Sequence, residues 1–120
     1  MTLTIPIDAI PQGRPRFYNG RAYDPPECKK FKADFALMIR QQINDHEPFT
    51  GAVKVTLKIC RNRKSAISKR FGDADNLAKI ILDAITDTGA VWRDDCQVTD
   101  LHVIKATAPN PSVELTIEDA

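Results

Sequence analysis

Two aspartates separated by a single small residue, Asp73 and Asp75, are the residues of this chain best suited to do chemistry. A lysine, Lys79, follows four positions after the second aspartate, and a further acidic pair stands at Asp94-Asp95. Hard divalent cations such as Mg²⁺ take a few carboxylate oxygens as ligands and keep several of their waters. Paired aspartates with one lysine nearby therefore suit metal-assisted cleavage of a phosphodiester.

The stretch before the paired aspartates is strongly basic and contains no acidic residue between Pro48 and Gly72. Its basic residues are Lys54, Lys58, Arg61, Arg63, Lys64, Lys69 and Arg70. A run of charge is often only a solvated face, but its place immediately before a carboxylate site favours contacts with a phosphate backbone. An acidic site alone would repel that backbone, so the basic run would supply the attraction.

A second basic segment interleaves arginines with aromatic residues. Its members are Arg14, Arg16, Phe17, Tyr18, Arg21 and Tyr23. Such a patch is suited to stacking on unpaired bases and to gripping phosphates. The alternative for Phe17 is that its ring anchors a loop to the core. We predict that residues 12–23 and 61–72 are loops, because Gly, Pro, Ser and basic residues dominate them, and that both lie near the chemistry.

Ordinary structural roles compete with each part of the acidic pattern. Asp73 or Asp75 is able to act as a helix N-cap, which is a common role of aspartate. Lys79 is placed for a surface ion pair with Asp75 or Asp83, worth only a few tenths of a kcal/mol. Asp94-Asp95 suits either an external cation or a tight turn held by an aspartate side chain.

Hydrophobic periodicity predicts the elements that position these residues. Alternation of period two predicts strands over residues 3–7, 53–60, 98–105 and 112–118. A first helix is expected to begin with Asp24 as N-cap and to end before Pro48, and a second to run from about Asp75 to Gly89. The order β-α-β-α-β-β predicts an α+β or mixed α/β fold with a small sheet.

Composition bounds the class of protein. At 120 residues the chain predicts one domain, residues 1–120, and no apolar run approaches the ~20 residues that span a bilayer. The start of the chain lacks the features of a signal peptide, so we expect a soluble, cytoplasmic protein.

Charge is distributed unevenly along the chain. Residues 1–72 hold 14 Lys/Arg and 6 Asp/Glu, whereas residues 73–120 hold 3 Lys/Arg and 10 Asp/Glu. This asymmetry indicates either a polyanionic partner or two halves that neutralise each other. The three cysteines are too scattered for a zinc site or a disulfide framework.

The segments Gly72–Lys79, Leu82–Ile85 and Trp92–Val98 together resemble the RusA family of Holliday junction resolvases, small nucleases of bacteria and their prophages. The shared pattern is D-x-D-N-L-x-K, then D-A-hydrophobic, then W-x-D-D-x-Q-V. It is long, ordered and correctly spaced, and it covers about residues 72–105. A turn at Gly13–Phe17 is similar to the N-terminal region of phage-type members, although this signal is weaker.

The resemblance implies a Mg²⁺-dependent endonuclease, with Mn²⁺ as a possible substitute, that resolves four-way DNA junctions in recombination and repair. It implies a homodimer in which each subunit nicks one of two symmetric strands. The implied catalytic residues are Asp73, Asp75, Asp95 and Lys79, and the three aspartates are the implied metal ligands. The residues expected to contact DNA are Arg14, Arg16, Arg61, Arg63, Lys64, Lys69 and Arg70. Phe31 and Phe35, or the last strand, are candidate dimer surfaces.

Three alternative functions fit parts of the same pattern. One is a Mg²⁺-dependent nuclease for flaps or other branched DNA. Another is a non-catalytic dimer that binds branched DNA and keeps its acidic cluster for structure. A third is a D-x-D metal site for nucleotide-sugar chemistry, against which the basic flank and the short chain argue.

Overall fold

The computed structural model describes all residues from Met1 to Ala120. The strands are β1 (Thr2–Ile5), β2 (Arg16–Tyr18), β3 (Arg21–Tyr23), β4 (Val53–Arg61), β5 (Val98–Thr107) and β6 (Ser112–Asp119). The helices are α1 (Pro26–Ile43) and α2 (Ala74–Asp87). A four-stranded sheet has the order β1-β6-β4-β5, and β2 and β3 form a separate hairpin. The predicted α+β class is confirmed.

Alternation along the central strands builds the core. Val55 and Leu57 of β4 are fully buried, and Leu57 lies opposite Leu115 of β6 in an antiparallel register. The intervening side chains face the other side of the sheet, where Lys58 lies 3.9 Å from Glu114. One face of the sheet is therefore covered and the other lies toward solvent, as is usual for a small sheet with helices on one side.

The two helices cover the buried face because each carries an apolar stripe at helical spacing. Phe35 and Ile39 of α1 and Ile81 and Ile85 of α2 belong to the same hydrophobic core as the sheet. α1 and α2 also pack against each other. Neither of them combines the length and apolar character that a membrane crossing would need.

β4 and β5 run parallel and are joined through α2. In a unit of this kind the helix returns antiparallel to the strands, so α2 begins at the edge where β4 and β5 end. Ligand sites of open α/β units lie at that edge. The paired aspartates, which open α2, thus take their position from the topology.

The predicted loop at residues 12–23 contains the β2–β3 hairpin instead. Its turn is Asn19-Gly20, with φ of 51° and 75°, the left-handed pair that an Asn-Gly hairpin turn requires. The first helix also differs at its start, because Pro25 and not Asp24 occupies the N-cap position. Asp24 is drawn away by Lys32, whose ammonium donates to its carboxylate.

The two candidate dimer surfaces are not available. Phe31 and Phe35 are 5% and 0% exposed because they pack in the core. β6 lies between β1 and β4 and so has no free edge. The free edges of the sheet belong to β1 and β5.

Candidate active site

Asp73 occupies the N-cap position of α2 without capping it. Its backbone is extended, with φ of −78° and ψ of 142°, and its side chain makes no capping hydrogen bond. Its carbonyl oxygen accepts the first helical bond, from the N–H of Leu77 at 3.0 Å. The carboxylate is therefore exposed and uncommitted, so the ordinary structural role considered for Asp73 does not use it.

Gly72 sets the approach to this residue. Its φ of +101° lies in a region that other residues rarely adopt, and a Cβ there would contact the Leu77 side chain at 3.4 Å. Gly72 itself is buried. The glycine thus lets the chain turn sharply from a buried residue to the exposed Asp73.

Asp75 and Lys79 lie on the exposed side of α2, one helical turn apart. One carboxylate oxygen of Asp75 accepts the N–H of Asn76 at 2.9 Å. The ammonium of Lys79 lies 3.7 Å from Asp83, and the Lys79 side chain is 65% exposed. An exposed pair of this kind contributes little to stability, so Lys79 is free to exchange its partner.

Asp94 takes the turn-forming role considered for the acidic pair. Asp94 caps a 3₁₀ turn (Asp95–Gln97): its carboxylate accepts the N–H of Cys96 at 2.9 Å, and the side chain of Gln97 reaches back to the backbone of Asp94. The hydrogen bond from the Cys96 backbone lowers the pKa of Asp94. Asp94 therefore caps the turn, and the Asp95 carboxylate takes no part in this cap.

Asp95 lies in the turn that contacts α2. Burial raises the pKa of Asp95, and the carboxyl groups of Asp94 and Asp83 raise it further, while Lys79 acts in the opposite direction. The Asp95 carboxylate is thus close enough to Asp83 and Lys79 to feel both charges. Such mutual repulsion among carboxylates is what a bound cation relieves.

Trp92 and Gln97 hold the acidic turn against the fold. The indole Nε1 of Trp92, which is 1% exposed, donates to the Thr86 hydroxyl of α2 at 2.8 Å. The side-chain amide of Gln97 donates to the carbonyls of Phe49 and Gly51 at 2.9 and 3.0 Å. These bonds give a physical reason for the Trp and Gln of the W-x-D-D-x-Q pattern.

Arg61 differs from the other basic residues assigned to DNA. It is 4% exposed, its Nε donates to Asp8 at 2.9 Å, and its guanidinium also donates to the carbonyl of Phe71. Its burial argues against direct contact with DNA. Arg61 instead links the end of β4 to the residues just before Asp73 through its hydrogen bonds. This structural role is not evident from the run of basic residues in the sequence.

Lys105 is a further residue that sequence reasoning missed. Its ammonium donates to the carbonyl of Gly72 at 2.9 Å and lies 5.2 Å from the centre of the Phe71 ring. Arg61 lies 5.8 Å from the same ring. Phe71 and Gly72 are therefore held from two strands, and the position of the neighbouring Asp73 depends on both cations. The sequence gives no local sign of this contact, because Lys105 stands 32 positions after Asp73 and only the fold brings the two segments together.

We expect Lys105→Met to slow DNA cleavage by about 10- to 100-fold, because it removes the donor that fixes Gly72. Lys105→Arg should restore part of the rate. Single-turnover cleavage and DNA binding at several salt concentrations provide the measurement. The salt dependence of binding should not change, since the ammonium is engaged with a carbonyl. A salt slope reduced by about one would instead make Lys105 a phosphate contact.

The remaining basic residues lie at the surface. Lys64, Lys69 and Arg70 are exposed in the loop that precedes α2. Arg63 is half-buried and lies 3.5 Å from Asp8. Arg14 and Arg16 are exposed near the hairpin, where Arg16 lies 3.7 Å from Glu27.

The carboxylates are not gathered into a closed metal cage. No group of three His, Cys, Asp or Glu side chains is close enough to hold a metal ion. A cavity of about 710 Å³ opens beside Trp92, Arg93 and Asp94, but Asp73, Asp75 and Asp95 do not line it. Asp73 and Asp75 lie on open surface and Asp95 is partly exposed, which suits a polymeric substrate better than a small molecule enclosed in a pocket.

Comparison with known proteins assigns the chain to a family. The family model of endodeoxyribonuclease RusA matches residues 6–118. The chain is also 30% identical over 139 aligned positions to the uncharacterised protein YqaN of Bacillus subtilis (strain 168), an alignment that covers 97% of this chain and 94% of the relative. The match includes both flanks of the acidic site and nearly every element of the fold. This chain therefore belongs to the RusA family of endodeoxyribonucleases.

Proposed function

We propose that the protein is a divalent-metal-dependent endonuclease that resolves four-way DNA junctions by paired symmetric nicks. The observation that carries this proposal is that, in a member of the RusA family, two exposed aspartates at the start of α2 keep carboxylates that cap no helix. Asp73 and Asp75 stand at the beginning of α2, and the turn that carries Asp95 contacts the same helix. None of the three proposed acids is consumed by capping a helix.

Asp73, Asp75 and Asp95 are the residues that would hold Mg²⁺, or Mn²⁺ in its place. The carboxylate chemistry fits, and so does the open arrangement, because Mg²⁺ is commonly held by one or two carboxylates together with substrate phosphates. A cation held by these residues would supply an activated water and stabilise the departing 3′-oxygen. No three of these side chains are close enough to hold an ion by themselves, so phosphate oxygens of the DNA would have to complete the coordination.

Lys79 has the position and freedom to act on the phosphate. It lies one turn, about 6 Å along the helix axis, beyond Asp75. Its partner Asp83 is 3.7 Å away and the pair is exposed, so a phosphate oxygen can replace that contact. A fixed ammonium there would stabilise the negative charge that develops as the phosphodiester breaks.

The loop before α2 supplies the attraction for the DNA backbone. Lys64→Ala and Arg70→Ala should each weaken binding to any DNA sequence and reduce the salt slope by about one, because each removes an exposed phosphate contact. Binding isotherms at several salt concentrations measure both effects. The matched control is Lys58→Ala, an exposed lysine 3.9 Å from Glu114 on the open face of the sheet. An equal loss for Lys58→Ala would show that only net charge matters.

The free edge of β5 supports the homodimer that two symmetric nicks require. β5 is ten residues long and pairs with β4 on one side only. Leu101 and Ile104 on this strand are 41% and 47% exposed. A long edge strand with exposed apolar side chains is suited to pairing with another chain. A second copy of this chain would cover it.

A comparison of substrates separates the rival functions. A junction resolvase should cleave a four-way junction far faster than a flap or a linear duplex of the same sequence, and only with a divalent cation. A nuclease for other branched DNA would prefer the flap. A non-catalytic junction-binding dimer would bind the junction with or without Mg²⁺ and cleave nothing.

A further inference from the structure

The β2–β3 hairpin stands out from the fold and leaves its aromatic side chains uncovered. All six residues of its strands are exposed, and Phe17 and Tyr18 are 75% and 70% exposed. The two strands pair only with each other. The ring of Phe17 therefore does not anchor a loop to the core, which removes the alternative considered for it. A large exposed aromatic side chain on a basic projection indicates a contact surface.

The base of this hairpin is fastened to the beginning of the acidic site. The backbone N–H of Gln12 donates to the carbonyl of Asn76, next to Asp75, at 3.0 Å. The Gln12 side chain donates to Asp24 at 3.3 Å, and Lys32 holds the same carboxylate. The two ends of the hairpin are thus clamped to each other and to the first turn of α2.

The register divides the hairpin into two chemically different faces. Phe17 lies opposite Ala22, so these two side chains share one face. Arginines and tyrosines occupy the other face: Arg16, Tyr18, Arg21 and Tyr23. One face is therefore a single apolar ring, and the other suits phosphates and sugars.

The chain between the anchor on α2 and Phe17 limits how far this ring lies from the acids. Phe17 stands five residues after Gln12, so an extended chain between them spans at most about 18 Å, roughly five base steps along one DNA strand. Apolar side chains of DNA-binding proteins insert between base steps and unstack them. At the crossover of a four-way junction the stack is already interrupted, so insertion costs least there. The neighbouring arginines attract a polyanion and argue against an apolar protein partner.

We propose that the β2–β3 hairpin is a stacking wedge that inserts Phe17 at the crossover of the junction, within a few nucleotides of the acids that cut. This inference rests on the proposed junction-resolving function. The wedge gives the protein a means to recognise branching that contacts with phosphates alone lack, because it reads an interrupted stack and no base sequence.

A junction with 2-aminopurine beside the crossover tests the wedge. Wild-type protein in EDTA should raise the fluorescence of this base, and Phe17→Ala should abolish the rise and lower junction affinity about tenfold. Phe17→Trp should keep both, and affinity for a linear duplex should be equal in all variants. Leu37→Ala, which truncates a 53% exposed apolar side chain of α1, is the matched control and should behave as wild type.

Three results would overturn the wedge. The first is a fluorescence rise that persists in Phe17→Ala, and the second is an equal loss for Leu37→Ala. The third is a change of oligomeric state in Phe17→Ala by light scattering, which would assign the ring to contact between copies. Failure of the proposed function is distinct, because it appears as absence of Mg²⁺-dependent junction cleavage by the wild type, whereas the fluorescence is read in EDTA.

Discussion

Asp75→Asn is expected to lower the rate of junction cleavage by about a thousandfold or more while leaving junction affinity within about twofold of the wild type. The amide is nearly the same size as the carboxylate and its oxygen can still accept the N–H of Asn76, so the start of α2 is preserved. It lacks the negative charge that a hard cation requires. The exposed basic residues that attract the DNA backbone are unchanged.

Single-turnover cleavage with Mg²⁺ and junction binding in EDTA measure the two effects separately. Asp87→Asn is the matched control, because Asp87 is an exposed aspartate in the last turn of the same helix. Its cleavage rate should stay within about twofold of the wild type. Loss of junction binding in Asp75→Asn would contradict the proposed separation of metal binding from DNA binding. Cleavage at the wild-type rate would remove Asp75 from the site.

Arg61→Ala is expected to lower the free energy of unfolding by about 3 kcal/mol, the largest effect on stability that we predict for a charged residue. The guanidinium is 4% exposed and donates to Asp8 and to the carbonyls of Arg70 and Phe71. Truncation leaves the buried carbonyl oxygen of Phe71 without a donor, whereas the Arg70 carbonyl keeps a hydrogen bond from Arg63. It also removes the packing of the long side chain against Phe71. The carboxylate of Asp8 is 41% exposed and can turn to water, which limits the loss.

Urea unfolding followed by circular dichroism measures this effect. Lys64→Ala, an exposed residue of the adjoining loop, should change stability by less than about 0.5 kcal/mol. Arg61→Ala and Lys64→Ala therefore make opposite predictions: the first loses stability and the second loses DNA affinity. Normal stability with weak DNA binding in Arg61→Ala would return Arg61 to the DNA-contacting residues.

The main sheet and both helices were predictable because their side chains follow clear periods. The alternation from Val53 to Ile59 places every second residue at 0% exposure. Phe31, Phe35 and Ile39, which recur at helical spacing in α1, belong to the same core. Burial of one face of a strand or helix requires apolar residues at the period of that element, so the apolar period in the sequence identifies the buried face. The parallel pairing of β4 with β5 is not visible in either strand, because it depends on where α2 crosses.

The hairpin was missed for a physical reason. Neither of its faces is buried, so no apolar alternation marks β2 or β3. The available signal was Asn19-Gly20, a pair that favours the left-handed turn found there. The start of α1 was misplaced because Asp24 and Pro25 fit an N-cap pattern locally, whereas a tertiary partner, Lys32, takes the Asp24 side chain.

The candidate acids were found from spacing and from resemblance, but the residues that hold them in place were not. Arg61 reads as one more member of a basic run until its 4% exposure is known. Lys105 joins Gly72 across 33 positions, a relation that only the fold creates. The sequence alone does not distinguish the roles of the adjacent residues Asp94 and Asp95. The structure distinguishes them because Asp94 caps the 3₁₀ turn.

Mapping the nicks on a synthetic four-way junction tests the central claim most directly. Each of the four strands is labelled in turn, and the products formed with Mg²⁺ or with EDTA are resolved on a denaturing gel beside a linear duplex of the same sequence. We expect nicks at symmetric positions in two opposing strands of the junction, none in the duplex and none in EDTA. Equal cleavage of junction and duplex, or tight junction binding without a nick under Mg²⁺ or Mn²⁺, would contradict it.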